Sequence, residues 1–187
     1  MVNFFNWSRR DEVIGTRVLV CSSEDSMSAI GSEDARIWQR HYPATTSVTA
    51  SSIDELCGIL DQGYDVIHLL WKTDSEGTFL DSNIRGTNLI EQCCDADVKL
   101  LWIACDNDPQ AYIKGFSARG KRINLVMTID RRGAVFSSFL DRLLAKTAYG
   151  DTLPVAWNQL CPQAPDLEHS DAPACIFFAG RGGVLLR

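Results

Sequence analysis

Tyr64-Asp-Val-Ile-His-Leu-Leu-Trp-Lys72 reads as a strand whose apolar character is almost unbroken. That is the pattern of a strand covered on both faces, not one with a solvated side. Gly63 closes the element before it, and the polar loop Thr73-Asp-Ser-Glu-Gly77 follows it. A second segment of the same kind, Lys99-Leu-Leu-Trp-Ile-Ala104, runs into Cys105. Strands buried on both faces belong to parallel sheets, whose carboxyl ends line up along one edge and open a crevice there. Lys72 and Cys105 are therefore expected at the same edge.

Working outward, Arg17-Val-Leu-Val-Cys21 is an earlier apolar strand leading into the polar loop Ser22-Ser-Glu-Asp-Ser26. A helix is expected from Ser32 to Tyr42, with acidic residues in its first turn, Arg40 and His41 in its last, and Pro43 as a stop. Thr45 to Thr49 makes a second strand. Ser52-Ile-Asp-Glu55 then forms a capping box for a helix that turns Ile53, Leu56, Ile59 and Leu60 inward. A further helix is expected around Asn83 to Cys94, and another beginning at Pro109 and ending near Gly120. Ile123 to Thr128 is a strand. Gly133 to Ala148 carries Phe136, Phe139, Leu140, Leu143, Leu144 and Thr147 on one helical face. Pro154-Val-Ala-Trp157 precedes a loop rich in proline and acid from Pro162 to Pro173, and Cys175 to Ala179 is the closing strand, turned off by Gly180-Arg-Gly-Gly183. This alternation predicts an α/β fold, a three-layer sandwich in which helices flank a mostly parallel six-stranded sheet. The expected layout is an N-terminal arm at 1–15 and one domain at 16–187.

With 187 residues and 45% hydrophobic content, one substantial core is expected. A net charge of −6 and a pI near 5.0 argue against a general nucleic-acid or anionic-membrane partner, for which basic clusters are expected. Seven cysteines without metal-ligand spacing fit a reduced, cytoplasmic setting, with no metal and no cofactor expected. The start of the chain lacks a basic stretch followed by an apolar run, and no segment approaches the ~20 apolar residues of a membrane span. Phe4, Phe5 and Trp7 in the arm, together with Trp38, are candidate contacts for a protein partner where they prove exposed.

Three segments resemble the CHAT branch of the caspase-like, clan CD cysteine peptidases. Asp65-Val-Ile-His68-Leu-Leu-Trp-Lys72-Thr73 is similar to that family's Asp-Val-Ile-His-Phe-Ala-Gly-His-Gly strand, and Ile103-Ala-Cys105-Asp-Asn to its Ser-Ala-Cys strand end. Asn124-Leu-Val-Met, a helix, the segment with Pro154 and a closing strand follow in the order the family shows. The resemblance spans roughly Thr16 to Leu186. It implies a caspase-like fold with Cys105 in the nucleophile's place. It also implies that the catalytic histidine has been replaced by Lys72 and the flanking glycines by Trp71 and Thr73. A solvated lysine stays protonated at neutral pH and cannot take a proton from a thiol, whereas imidazole can both take and give one there.

On that basis the chain is expected to be a catalytically silent pseudopeptidase, an adaptor or regulatory subunit that binds protein in a bacterial signalling or defence assembly. Cys105 is open to three roles: a buried packing residue, a nucleophile, or a redox thiol. His68 matches the family's non-catalytic histidine and is expected in the core, about two pleats below Lys72, where it makes a poor substitute base. Two alternatives stand beside this expectation. One is an active peptidase in which another group assists Cys105. The other is a receiver-like domain in which Ser22, Glu24, Asp25, Asp74 and Glu76 gather around magnesium.

Overall fold

The computed structural model describes residues 12–14, 17–24, 27–74, 76–80, 82, 84–104, 123–128, 134–161, 175–179 and 184–187. Its strands are β1 (Glu12–Ile14), β2 (Val18–Ser23), β3 (Thr45–Ala50), β4 (Val66–Leu70), β5 (Leu100–Ala104), β6 (Asn124–Thr128), β7 (Cys175–Ala179) and β8 (Val184–Leu186). Its α-helices are α1 (Ser28–His41), α2 (Ile53–Cys57), α3 (Gly86–Asp95), α4 (Ala134–Ala148) and α5 (Leu153–Leu160). A single 3₁₀ turn, Leu60–Gln62, follows α2 and ends at Gly63, whose φ of +79° a residue with a Cβ adopts only with strain.

Six strands form one sheet in the order β3-β2-β4-β5-β6-β7, and β1 and β8 form a separate parallel pair. Within the large sheet β3, β2, β4, β5 and β6 run parallel, and β7 closes the edge antiparallel to β6. All five residues of β4, of β5 and of β6 are buried, which is what their continuous apolar sequences require of central strands.

The side-chain period of two divides the core into halves. Val18, Val20, Val66, Leu70, Trp102 and Val126 face one side and pack with α1, α4 and α5. Leu19, Cys21, Ile67, Leu69, Leu101, Ile103 and Met127 face the other and pack with α2 and α3. Helices thus cover both faces of a mostly parallel sheet, the α/β sandwich read from the sequence.

Two local expectations need correction, and one segment that the sequence left unassigned proves helical. Helix α1 begins at Ser28, not Ser32, and its first turn holds no acidic residue; Met27, buried before it, anchors the extra turn by packing where no side-chain cap exists. Helix α2 stops at Cys57, so Leu60 reaches the core from the 3₁₀ turn. Pro154 lies inside a true helix, α5, because the N–H groups of a helix's first turn have no intrahelical partner to lose. The helix expected from Pro109 falls outside the described residues.

Candidate functional site

The carboxyl ends of the parallel strands define the edge where chemistry is expected. Strand β4 leaves the sheet there at Leu70, which is in register with Ala104 of β5 and Ser22 of β2. The next residue, Trp71, is buried among the α2 and α3 side of the core, and its Nε1 donates to the Leu80 carbonyl at 3.1 Å. Lys72 then emerges exposed to solvent. Its carbonyl accepts from the Leu80 amide at 3.0 Å, and Thr73 bridges Phe79.

The loop that follows is built around Asp74. One carboxylate oxygen of Asp74 accepts from the Glu76 and Thr78 amides, each at 2.9 Å, and its own amide donates to the Thr78 carbonyl. This is an acidic side chain used to fold a turn around Gly77, at φ +76°. Asp74 and Glu76 therefore belong to a compact loop, and no group of three or more His, Cys, Asp or Glu among the described residues is arranged to hold a metal ion. Glu24 is exposed and Ser22 is buried. Asp25 lies outside the described residues.

Cys105 follows Ala104 directly and is likewise outside the described residues, as are Phe4, Phe5, Trp7 and His169. Four other thiols are held above their ordinary range by burial. Cys21 is pushed up to about 12 by desolvation and, after it, by the charges of Glu55 and Cys57; desolvation also raises Cys57, Cys93 and Cys161. These are packing thiols with little thiolate at neutral pH.

His68 sits in a different place from Lys72. It points to the α1 side of β4, fully buried at 0% exposure, in the centre of a polar and aromatic cluster. The Trp38 Nε1–H donates to its Nδ1 at 2.7 Å, and Asp34 Oδ2 lies 3.4 Å from its Nε2. The Trp102 indole stacks on the imidazole at 4.8 Å with planes 3° apart, and Trp38 and Trp157 pack on Trp102. A ring nitrogen that accepts an N–H bond carries no proton, so His68 is the neutral tautomer with its hydrogen on Nε2, the atom that lies beside the Asp34 carboxyl.

Trp38 is thus removed from the expected contact surface. It is 0% exposed because α1 turns it onto the sheet, and its one polar group is spent on His68. Asp34 was missed by reading acidic residues as solvated. The available signal was its place four residues before Trp38, on the stripe shared with Ala35 and Ile37 that packs inward.

The remaining described histidine, His41, is also committed. Its Nε2 lies 2.7 Å from Asp141 Oδ1, and Arg40 reaches the same oxygen at 2.8 Å. A carboxylate can only accept, so the His41 Nε2 carries the proton. A shallow depression of about 290 Å³ between α2 and α3 is lined by Cys57, Leu60, Asp61, Gln92, Asp95 and Ala96. No helix among the described residues is long and apolar enough to cross a membrane.

Compared with known protein families and with curated proteins, the chain matches none.

Proposed function

We propose that this chain is a caspase-like domain without peptidase chemistry, which binds other proteins as an adaptor or regulatory subunit in a cytoplasmic bacterial signalling or defence assembly. One observation carries the reading. The imidazole on the catalytic strand, His68, is locked in the core between Trp38, Asp34 and Trp102, while the strand end that should hold the proton shuttle presents a solvent-facing Lys72. An exposed ammonium has no proton vacancy at neutral pH. Trp71 reinforces the point, since it fills the volume before Lys72 where the resemblance implies a glycine. The order of elements from β6 through α4 and α5 to β7 agrees with that resemblance.

A sheet of this kind holds its edge loops in place whether or not bonds are cut there, and protein binding is the use left to such loops. The test is turnover of a peptide library by purified protein beside Cys105→Ala, with Lys72→His as a third arm. No cleavage by either of the first two supports the proposal. Cleavage by the unaltered chain that disappears with Cys105→Ala overturns it in favour of an active peptidase.

A further inference from the structure

Among the described residues, Asp34 and His68 are the only buried side chains of the aspartate, glutamate, lysine, arginine and histidine types, and they lie together, each at 0% exposure. Burying such a pair costs desolvation that apolar side chains of the same volume avoid. The pair gives β4 two contacts with one helix. Asp34 and Trp38 stand four residues apart, on successive turns of α1, and the imidazole touches both. The Trp38 Nε1–H donates to Nδ1 at 2.7 Å, a bond open only to a ring without a proton there. Asp34 Oδ2 lies 3.4 Å from Nε2, and a carboxylate at that distance favours the charged ring. A proton on Nδ1 therefore forbids the first contact and strengthens the second.

The other elements around the ring bring apolar and aromatic side chains to it. Strand β2 sets Val20 in register with His68, and β5 sets Trp102, whose indole stacks on the imidazole at 4.8 Å. Helix α4 brings Phe139 to the same half-core, and α5 brings Trp157. The other titratable groups of α1 and α4 are committed elsewhere. Glu33 and Arg36 pair on the solvent side of α1, the Tyr42 hydroxyl donates to Thr147 at 2.8 Å, Arg40 and His41 meet Asp141 at the far end of the helix, and Lys146 reaches Gln159 and Asp151.

From this arrangement we infer that His68 is a proton-operated catch on α1: uptake of a proton at Nδ1 releases Trp38 and passes the ring's hold to Asp34, so that α1 changes its seat on the sheet while the domain stays folded. Protonation sets two N–H groups face to face, and the indole has to turn away. The stacked face of Trp102 supports the imidazolium as it forms. Helix α1 also packs at the carboxyl edge of the sheet, where Gly31 sits so close to Ser22 and Leu70 that an added methyl group would meet both. A change in the seat of α1 thus reaches the edge from which Lys72 emerges. The catch works whether or not Cys105 cuts peptide bonds.

The chain has three histidines, and the double variant His41→Gln with His169→Gln leaves His68 as its one imidazole. Ring-nitrogen magnetic resonance shifts, followed from about pH 8 to about pH 5, read its tautomer and its charge. At the upper end the ring should be neutral with its proton on Nε2. As pH falls, one proton should convert it to imidazolium, and the Trp38 indole N–H resonance should move with the same midpoint while far-UV circular dichroism stays native. Trp38→Phe removes the bond to the neutral ring and should raise the midpoint by at least about half a pH unit; Asp34→Asn removes the carboxylate and should lower it by as much. The inference is overturned if the ring stays neutral until the chain unfolds, if Nδ1 holds the proton at pH 8, or if the Trp38 resonance does not follow the ring. A folded Trp38→Phe or Asp34→Asn protein whose midpoint fails to move in the stated direction overturns it as well. Should either variant not fold, the joint movement of imidazole and indole signals in the histidine double variant still decides.

Discussion

Asp34, His68 and Trp38 show how much a buried polar group depends on each of its partners. The indole N–H satisfies Nδ1 of an imidazole that has no contact with solvent. Trp38→Phe keeps a ring at that site but leaves the acceptor unmet, which costs about 1–3 kcal/mol in addition to any packing loss. Urea unfolding should give a midpoint shifted down accordingly, and an unchanged midpoint would mean that the bond contributes nothing. Gly31 is a second residue whose identity is dictated by a neighbour. Where α1 crosses β2, a methyl group on Gly31 would lie 2.5 Å from Ser22 Oγ and 2.6 Å from Ser22 Cβ. Helix propensity favours Gly31→Ala by about 1 kcal/mol, but displacing a strand residue's own Cβ costs about 1–3 kcal/mol, so the clash wins. The single variant should melt lower than the unaltered chain. The double change Ser22→Gly with Gly31→Ala should recover most of the loss, and a Gly31→Ala protein that melts higher would show that the close approach is not real.

At the level of elements, α1 is tied to α4 at its far end through Asp141, which joins Arg40 and His41. Partial burial alone would raise the Asp141 carboxyl, but the hydrogen bond from His41 and the charges of Arg40 and His41 outweigh it and hold the group below its ordinary range. A carboxyl depressed in the folded state contributes stability above its unfolded value near 3.9, and that stability is lost as pH falls through the folded value. With its side chain 36% exposed, the tie contributes only on the order of 0.5 kcal/mol after solvent screening. Asp141→Asn should therefore lower stability slightly at pH 7 and converge with the unaltered chain once pH has fallen below the folded-state value; equal stability at neutral and at acid pH would show the tie to be energetically silent. The central strands and α4 were legible because their signal is burial itself, as continuous apolar runs in β4 and β5 and a three-to-four residue stripe in α4. Where tertiary packing decides an end, the sequence was mute. Nothing local in Ser28-Ala-Ile-Gly31 marks a helix start, and β1 and β8 are three-residue strands that among the described residues pair with each other, too short for any periodic pattern. At the candidate site, the exposure of Lys72 agrees with its position beyond the strand, whereas Asp34 defeated the rule that acids face water.

Across the whole molecule, the two half-cores flanking the sheet make the thiols a readout of global integrity. Cys21 points from β2 and Cys93 from α3 into the half-core that Leu19, Ile67, Leu101 and Phe79 fill, both at 0% exposure. Cys57 and Cys161 stand half-buried at its margins and those of the opposite half. A maleimide or iodoacetamide attacks only a thiolate it can reach, and at Cys21 and Cys93 both access and ionisation are suppressed by the same burial. Labelling of these two should therefore need the sheet and its covering helices to part together, so its rate should follow global unfolding, while Cys57 and Cys161 react sooner through local fluctuation. Peptide mapping by mass spectrometry after timed labelling, at several urea concentrations below the unfolding midpoint, separates the cases. The expected outcome is one shared, steep urea dependence for Cys21 and Cys93, with a shallower one for Cys57 and Cys161. Equal, shallow dependence at all four sites would mean that α2 and α3 detach from the sheet independently. The half-core on that side would then be a marginal layer and not part of one cooperative fold.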